Sequence, residues 1–370
     1  DVVEQEKSVN RDSLKKARLT AKYDIYPKID YIRLKIRDKK HRDSLLWEYR
    51  EDPDSMIKNR VFCTINRKAR HYMRVGDTVL VPEKIHPDKR AYSVFPQYYH
   101  EARNIDKLIM MSNQYQSYGA YENGRLVHFA AVNSGKEKTQ TYPGKYWLNW
   151  KSELRLSSLD STWKMPYTWN FHRYAGSAFH KFTMPGYPAS HSCARQFIED
   201  AKWLFYWGEG SDYKDGMPVP KSGTPVIIID AYDFTQGKKG PWLYLSSNKD
   251  TILDLPEDPH SVEPALIPIS QIPKELRNNL PNKERYVTAE KKLRERGVIR
   301  EGVKIQESIN FNKLRREKRL AEIKEKRKKA KRIKEISTTD INKIKNNLEY
   351  LEERKIDIRK DNEPDSTKEN

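Results

Sequence analysis

The turn at Asn123-Gly124 restricts the fold of this 370-residue chain more than any other short segment. It separates residues 116–121 from residues 125–132, and both stretches carry the apolar and aromatic residues of strands. An Asn-Gly pair between strands favours a type I′ turn, because that turn needs positive φ at both central positions. We therefore predict an antiparallel hairpin over residues 116–132.

Other segments after residue 105 also have the β-branched and aromatic content of strands. They are residues 106–111, 145–150, parts of 163–182, and 224–229. Residues 194–207 differ, because their apolar side chains recur at helical spacing. These side chains are Phe197, Ala201, Leu204 and Phe205. The pattern predicts a mainly β region with one helix, which is expected to start directly after Cys193.

Composition and periodicity divide the whole chain into five parts. These are a polar leader or linker (1–22), a small mixed α/β segment (23–95), the β-rich domain (96–235), a proline-punctuated extension (236–305) and a basic helical tail (306–370). Residues 311–336 hold 13 Lys or Arg against four Glu, about half of the net charge of +19. Thr338-Thr339-Asp340 is expected to cap a last helix within the tail. No run approaches the 18 apolar residues that a membrane span needs.

The two cysteines have different neighbours. Cys63 lies in the apolar run 61–65, which is typical of a β-strand and of a buried, inert thiol. Cys193 lies in Ser190-His191-Ser192-Cys193-Ala194-Arg195, among polar and ionisable groups. One disulfide between them is a minor alternative, because a domain of this size does not need it.

The surroundings of Cys193 have the residue types that a thiol nucleophile needs. Such a thiol requires a base, an electropositive setting and donors for an oxyanion. A helix starting after Cys193 would lower the thiol pKa and present free amides. His180 is the candidate base, and Arg195 suits a substrate carboxylate. The residues alone leave two alternatives open: a structural His-X-Cys pair, and a zinc site made by His180, His191 and Cys193.

The order of these motifs resembles that of the L,D-transpeptidases with a YkuD-type catalytic domain. The family pattern is a His, a spacer, then Ser-His-Gly-Cys followed shortly by Arg or Asn, and His180 with the motif 190–195 is similar to it. The likeness extends to the hairpin at 118–132, Ser134-Gly135, Thr141-Tyr142-Pro143-Gly144 and the closing Gly223-Thr224-Pro225-Val226. It covers residues 105–232. It implies a mainly β, β-sandwich-like catalytic domain with one helix after the nucleophile, beside the small mixed segment and the helical tail.

The resemblance also implies roles for single residues. Cys193 is expected to be the acylated nucleophile and His180 the general base, oriented by the backbone carbonyl of Lys181. The amides of Ser192 and Cys193 are the expected oxyanion donors. Three more residues are expected to line the substrate site: Ser190, His191 and Arg195. Neither a metal nor a cofactor is implied.

Two features depart from the family pattern. Ser192 replaces the glycine before the nucleophile, which restricts the backbone there. The spacer between His180 and Ser190 has nine residues, 181–189, and is shorter than is usual in the family. The lid and the acceptor pocket are therefore the parts least defined by the likeness.

The implied activity is that of a cysteine-dependent acyltransferase of bacterial peptidoglycan. The thiol takes the acyl group of a stem tetrapeptide, releases D-alanine, and passes the acyl group to an amine to form a 3-3 crosslink. Carbapenems typically acylate such thiols in this family. Water as the acceptor would make the chain an L,D-carboxypeptidase or endopeptidase. The alternative of another class is a catalytically inactive wall-binding or scaffold protein.

A second resemblance bears on partners. Residues 66–82, within segment 59–84, look like the second half of a LysM glycan-binding repeat whose first half is not recognisable. We expect stem peptides as the main partner, glycan strands at 59–84, and an anionic polymer or a protein for the basic tail, which is otherwise a solvated helix. Nucleic acid is not an expected partner. We expect an exported protein of the bacterial cell envelope, in the periplasm, whose signal or lipid anchor is not part of this sequence.

Overall fold

The computed structural model describes residues 2–156, 164–215, 217–308 and 311–360. The chain divides into two compact units, Asp1–Phe311 and Asn312–Asn370. None of the described helices is both long and apolar enough to cross a bilayer.

The described residues form α-helices, β-strands and short 3-10 helices. The α-helices are α1 Val2–Tyr23, α2 Lys39–Glu48, α3 Met56–Ile65, α4 Ile198–Trp207, α5 Lys283–Glu295 and α6 Phe311–Lys360. The strands are β1 Tyr31–Lys35, β2 Thr78–Pro82, β3 Leu108–Ser112, β4 Ser117–Glu122, β5 Arg125–Ala131, β6 Gly144–Trp147, β7 Lys151–Leu156, β8 Lys164–His172, β9 Ser177–Lys181, β10 Ala194–Gln196, β11 Tyr213–Lys214, β12 Met217–Pro218 and β13 Pro225–Ile228. The 3-10 helices are Arg70–Tyr72, Lys89–Tyr92, His100–Ala102, Glu137–Thr139, Phe234–Gln236, Pro241–Tyr244, Ile269–Gln271 and Lys274–Asn279.

Two sheets face each other across the main core. The first has the strand order β5-β4-β3-β13-β6, and the second has the order β10-β9-β8-β7. β13 pairs parallel with β3 and β10 pairs parallel with β9, while the other neighbours in both sheets are antiparallel. The predicted mainly β, sandwich-like domain is therefore confirmed.

Aromatic side chains from both sheets fill the space between them. Tyr118 of the first sheet and Trp169 and Phe179 of the second are almost completely buried in one cluster. Burying a large apolar side chain stabilises a fold by roughly 1.5–3 kcal/mol. This core holds β9 and β10 in place, and those two strands carry the candidate catalytic residues.

The predicted hairpin is confirmed. β4 and β5 pair antiparallel around the turn, and the φ angles of Asn123 and Gly124 are +47° and +78°. Positive φ at both positions is what the Asn-Gly pair predicts.

The helix predicted from Ala194 begins four residues later, at Ile198. Residues 194–196 pair with β9 as β10, and Phe197 keeps an extended backbone before the helix starts. Ala194 belongs to the core, so its burial is satisfied in a strand. Glu199 and Asp200 in the first turn suit the true N-terminus of α4.

The N-terminal part is more helical than expected. The segment predicted as a leader or linker forms α1, which contacts later residues of the same unit through Lys16–Glu101 and Tyr23–Tyr98. β1, α2, α3 and β2 make a βααβ unit closed by antiparallel β1–β2 pairing. Segment 59–84 is the second half of this unit, and glycan binding by it stays a prediction.

The strand expected around Cys63 is wrong, because residues 61–65 are the last turns of α3. The β-branched and aromatic residues of this run face a core rather than a sheet partner, with Phe62 stacked on Tyr49 at 4.2 Å. Cys63 is buried there, and neither Cys63 nor Cys193 is in a disulfide.

The extension after β13 returns to the catalytic domain. Several of its buried residues join the main core, namely Leu266, Ile267, Ile272, Leu280, Ala289, Leu293 and Ile299. The first residues of the segment predicted as the tail continue this path: Gln306 N–H donates to the carbonyl of Lys138 and Ser308 N–H to that of Gln271, at 2.8 Å each. The extension is thus part of the same unit as the sheets.

The described part of the second unit belongs to the helix α6. The cap predicted at residues 338–340 is wrong, because α6 continues through them. The Thr339 hydroxyl donates instead to the carbonyl of Glu335 at 2.8 Å, one turn earlier in the helix.

Candidate active site

His180 and Cys193 reach one face of the four-stranded sheet from neighbouring strands. Cys193 directly precedes β10, which runs parallel to β9 with Arg195 beside His180. Side chains alternate along a strand, so Cys193, Arg195 and His180 lie on the face opposite to the core residues of these strands. Cys193 and His180 are therefore diagonal neighbours, one step before the Arg195–His180 pair of the two strands.

A backbone hydrogen bond fixes the imidazole of His180. Its Nδ1 lies 3.0 Å from the carbonyl oxygen of Lys181, so Nδ1–H donates and Nε2 keeps its lone pair. The ring packs edge-on against Phe182, with centroids 5.8 Å apart. Burial lowers the pKa of His180 to about 4, although the Lys181 carbonyl favours the protonated form. His180 is thus neutral at pH 7 and can accept a proton.

The thiol of Cys193 is buried and protonated at rest. Burial raises its pKa, against the opposing effects of a hydrogen bond to the Ala178 backbone and of the charges on Arg195 and Arg155. The expected help from a helix N-terminus is absent, since α4 begins at Ile198. A thiol of this kind becomes a nucleophile when a base removes its proton during attack, and the neutral His180 lies on the same face of the sheet.

The turn before the nucleophile is anchored by its carbonyl groups. The Ser190 hydroxyl donates to the Cys193 carbonyl at 2.5 Å, and the Thr141 hydroxyl donates to the Ser192 carbonyl at 3.1 Å. In a trans peptide the N–H points opposite to the carbonyl, so the Cys193 amide is directed away from Thr141. That amide suits an oxyanion. Ser190, expected to line the substrate site, is buried and supports the turn from inside.

Ser192 has a backbone conformation that favours glycine. Its φ is +80°, and its side chain is completely buried. The hydroxyls of Ser177 and Ser192 are 2.8 Å apart, and that of Ser308 is 3.5 Å from Ser192. These buried hydroxyls give the serine a partner at a position where the family pattern has no side chain.

Lys136 and Arg195 place two positive charges around the neutral imidazole of His191. The Lys136 ammonium lies 3.1 Å from Nε2 of His191. Burial, followed by the charges of Lys136 and Arg195, lowers the pKa of His191 to about 4. The Arg195 guanidinium lies 4.8 Å over the Phe182 ring and donates to the Thr183 hydroxyl at 3.3 Å.

The short spacer after His180 packs against the N-terminal segment. Ala69 N–H donates to the Met184 carbonyl at 2.8 Å, and Lys68 forms a β-bridge with Pro185. Gly186 has φ +91°, and an added Cβ would lie 2.9 Å from the Cβ of Lys68. Gly186 N–H also donates to the Asn133 side chain at 2.9 Å. The N-terminal segment therefore forms one wall beside the base.

Sequence reasoning missed several residues of this site. Lys136 follows the Ser134-Gly135 pair, and that neighbourhood was the only available signal for it. Ser177, Ser308 and Arg155 have no local motif, because they approach the site only through the pairing of distant strands and the return of the extension.

A comparison with protein families covers this part of the chain. Residues 106–228 match the family model described as the L,D-transpeptidase catalytic domain, YkuD. The matched stretch contains the two sheets, His180 and Cys193. The chain carries a YkuD-type L,D-transpeptidase catalytic domain. None of the curated protein sequences matches the chain.

Solved L,D-transpeptidase structures are similar to part of the chain. The enzyme from Stackebrandtia nassauensis is 21% identical, with 34% of this chain and 57% of that chain covered and a TM-score of 0.28. The enzyme from Mycobacterium smegmatis is 14% identical, with 34% of this chain and 59% of that chain covered and a TM-score of 0.28. The enzyme from Xylanimonas cellulosilytica is 25% identical, with 33% of this chain and 59% of that chain covered and a TM-score of 0.25. The chain thus spans less than two thirds of each.

Proposed function

We propose that the chain is a peptidoglycan L,D-transpeptidase that works through a thioester on Cys193. The observation that carries the proposal is the pairing of β9 with β10, which sets a tautomer-fixed, neutral His180 beside the thiol within the matched domain. A neutral base next to a neutral thiol suits acyl transfer, since the proton can move as the sulfur attacks.

The first half-reaction acylates the thiol. Nε2 of His180 takes the thiol proton while Sγ attacks the carbonyl carbon between the L-centre of the dibasic residue and D-alanine. The Cys193 amide binds the oxyanion of the tetrahedral intermediate. His180 then gives the proton to the nitrogen of D-alanine, the C–N bond breaks, and D-alanine leaves the thioester behind.

The second half-reaction transfers the acyl group. An amine of a second stem attacks the thioester carbon and gives a proton to His180. The C–S bond breaks, the sulfur regains its proton, and a 3-3 crosslink is formed. Water in place of the amine would turn the same site into a carboxypeptidase. The substrate occurs in the bacterial cell wall, so the proposal includes an envelope location.

One observation favours the alternative of a catalytically inactive wall-binding protein. Cys193 is only 7% exposed, and burial raises its pKa, so the resting thiol is not a ready nucleophile. A turnover assay separates the two functions. A stem tetrapeptide is incubated with the protein, with and without an acceptor stem, and free D-alanine and crosslinked dimer are measured by mass spectrometry.

The expected result is release of D-alanine by the wild type and by Cys63→Ala, and none by Cys193→Ala. Cys63→Ala is the matched control, because Cys63 is the other free, buried cysteine. Equal activity of Cys193→Ala and the wild type would refute the proposal, and absence of turnover in all three proteins would favour the inactive alternative.

A further inference from the structure

Lys136 is fixed against the loop that carries the nucleophile. Its N–H donates to the Ser190 carbonyl at 3.0 Å, next to the β-bridge between Gly135 and Ser190. Its ammonium lies 3.1 Å from Nε2 of His191. An ammonium has no acceptor, so Lys136 donates and His191 accepts, with the imidazole neutral. The backbone and the side chain of Lys136 therefore hold its positive charge beside His191, two residues before Cys193.

Arg195 brings a second positive charge to the same place. It lies on the face shared by Cys193 and His180, and its charge acts on Lys136, His191 and the thiol. Burial lowers the pKa of the Lys136 ammonium, and the charges of Lys138 and Arg195 lower it further.

No carboxylate within the described ranges offsets this pair. Burial lowers the pKa of the Arg195 guanidinium, and the titratable groups that act on it are the Cys193 thiol and the phenols of Tyr72 and Tyr187. Glu137, the acid next to Lys136 in the chain, is paired with Arg300 at 2.5 Å instead. Two cations held together in a partly buried site destabilise each other unless an anion joins them. The arrangement is therefore complete only with an anionic group from outside the described residues.

We propose that Lys136 and Arg195 together bind the carboxyl-terminal carboxylate of the donor peptide. This inference rests on the proposed function and names what selects its substrate. A cation pair beside the nucleophile binds that carboxylate while the preceding amide bond is presented to the thiol. The cation pair thereby restricts cleavage to the amide bond that precedes the last residue of the stem. Arg195 belongs to the motif around Cys193, whereas Lys136 lies outside it and is a further specificity-determining residue.

The test compares two donor peptides that differ only in the terminal group, a free carboxylate or a carboxamide. A charge-assisted hydrogen bond to the carboxylate predicts that the wild type prefers the free acid by roughly 10- to 100-fold in kcat/KM. Lys136→Gln is expected to lose most of that preference, because kcat/KM for the free acid should fall through KM by a much larger factor than kcat/KM for the carboxamide. Lys136→Arg should retain it, because it keeps the charge.

Lys138→Gln is the matched control, since Lys138 is a cation two residues after Lys136 and accepts the hydrogen bond of Gln306 through its backbone carbonyl. It should keep the wild-type preference. If Lys136→Gln lowers kcat/KM for both peptides by the same factor, Lys136 has only a structural role and the proposal is wrong. An unchanged preference in Lys136→Gln also overturns it.

A binding measurement keeps the inference independent of turnover. Calorimetry of both peptides with Cys193→Ala, and with Cys193→Ala carrying Lys136→Gln, needs no reaction at all. Tighter binding of the free acid only when Lys136 is present supports the inference even if the protein proves inactive. Equal binding of acid and carboxamide to Cys193→Ala overturns it, whereas failure to release D-alanine counts against the proposed function alone.

Discussion

The buried serine pair behind the nucleophile allows a quantitative prediction. Ser192 has φ +80° and its hydroxyl lies 2.8 Å from that of Ser177. Both side chains are at most 3% exposed. We expect the two substitutions Ser192→Gly and Ser177→Ala to be strongly non-additive, because each one alone leaves a buried hydroxyl without this partner.

The magnitudes follow from three opposing effects. Glycine at residue 192 relieves about 1–2 kcal/mol of backbone strain and costs about 0.5–1 kcal/mol in chain entropy. A buried hydroxyl that loses its partner costs about 1–3 kcal/mol. Ser192→Gly should therefore lose about 1 kcal/mol of unfolding free energy, and Ser177→Ala about the same, because Ser192 then keeps its 3.5 Å contact with the Ser308 hydroxyl. The double variant leaves only the Ser308 hydroxyl without its contact, a cost that the relieved strain offsets, and it should match the wild type. The expected coupling is about 2 kcal/mol.

Urea denaturation followed by tryptophan fluorescence measures this coupling. All eight tryptophans precede residue 311, so their fluorescence reports the unit that contains the site. The midpoint and slope of each transition give the unfolding free energies of the wild type, both single variants and the double variant. If the double variant loses the sum of the single losses within about 0.5 kcal/mol, the reasoning about the serine pair is refuted.

Two further predictions concern the base and its neighbouring loop. The pKa of His180 is about 4 in the folded protein and near 6.5 when unfolded, so the unfolded state binds the proton first as pH falls, and stability drops between these values. Neutral His180 contributes roughly 3 kcal/mol to the unfolding free energy at pH 7. Urea denaturation at pH values from 7 to 4 should show that the wild type loses unfolding free energy more steeply than His180→Gln, and equal slopes would contradict this prediction. Gly186→Ala should destabilise by about 2 kcal/mol and lower kcat, because it adds a clash with Lys68 to the strain of positive φ. Gly237→Ala, with φ +63° and open space around it, should lose only about 1 kcal/mol, and equal losses would exclude the clash.

The sequence predicts the parts of the fold that depend on local chemistry. The Asn123-Gly124 turn was predictable, because positive φ at both residues is a local requirement. The start of α4 was not, since residues 194–196 are held as a strand by β9, which lies earlier in the chain and is separated from them by the spacer. Residues 61–65 have strand-like composition but form a helix, because their tertiary contacts outweigh the intrinsic preference.

The same division applies to the candidate site. His180, Cys193 and Arg195 were found through a motif, and the structure sets them on one face of the sheet. Lys136 meets His191 across 55 positions of sequence, and Ser308 approaches Ser192 across 116. Contacts of that range follow from strand order and from the path of the extension, which local patterns do not contain. The pKa of the thiol was predicted in the wrong direction for the same reason, since its burial depends on the whole fold.

The most direct test of thioester chemistry at Cys193 is the intact mass of the protein after incubation with a carbapenem. We expect one covalent adduct on the wild type and on Cys63→Ala, and none on Cys193→Ala. Slow formation at neutral pH is expected, because burial keeps the thiol protonated until His180 takes its proton. An adduct that persists in Cys193→Ala, or that disappears in Cys63→Ala, would contradict the assignment of Cys193 as the nucleophile.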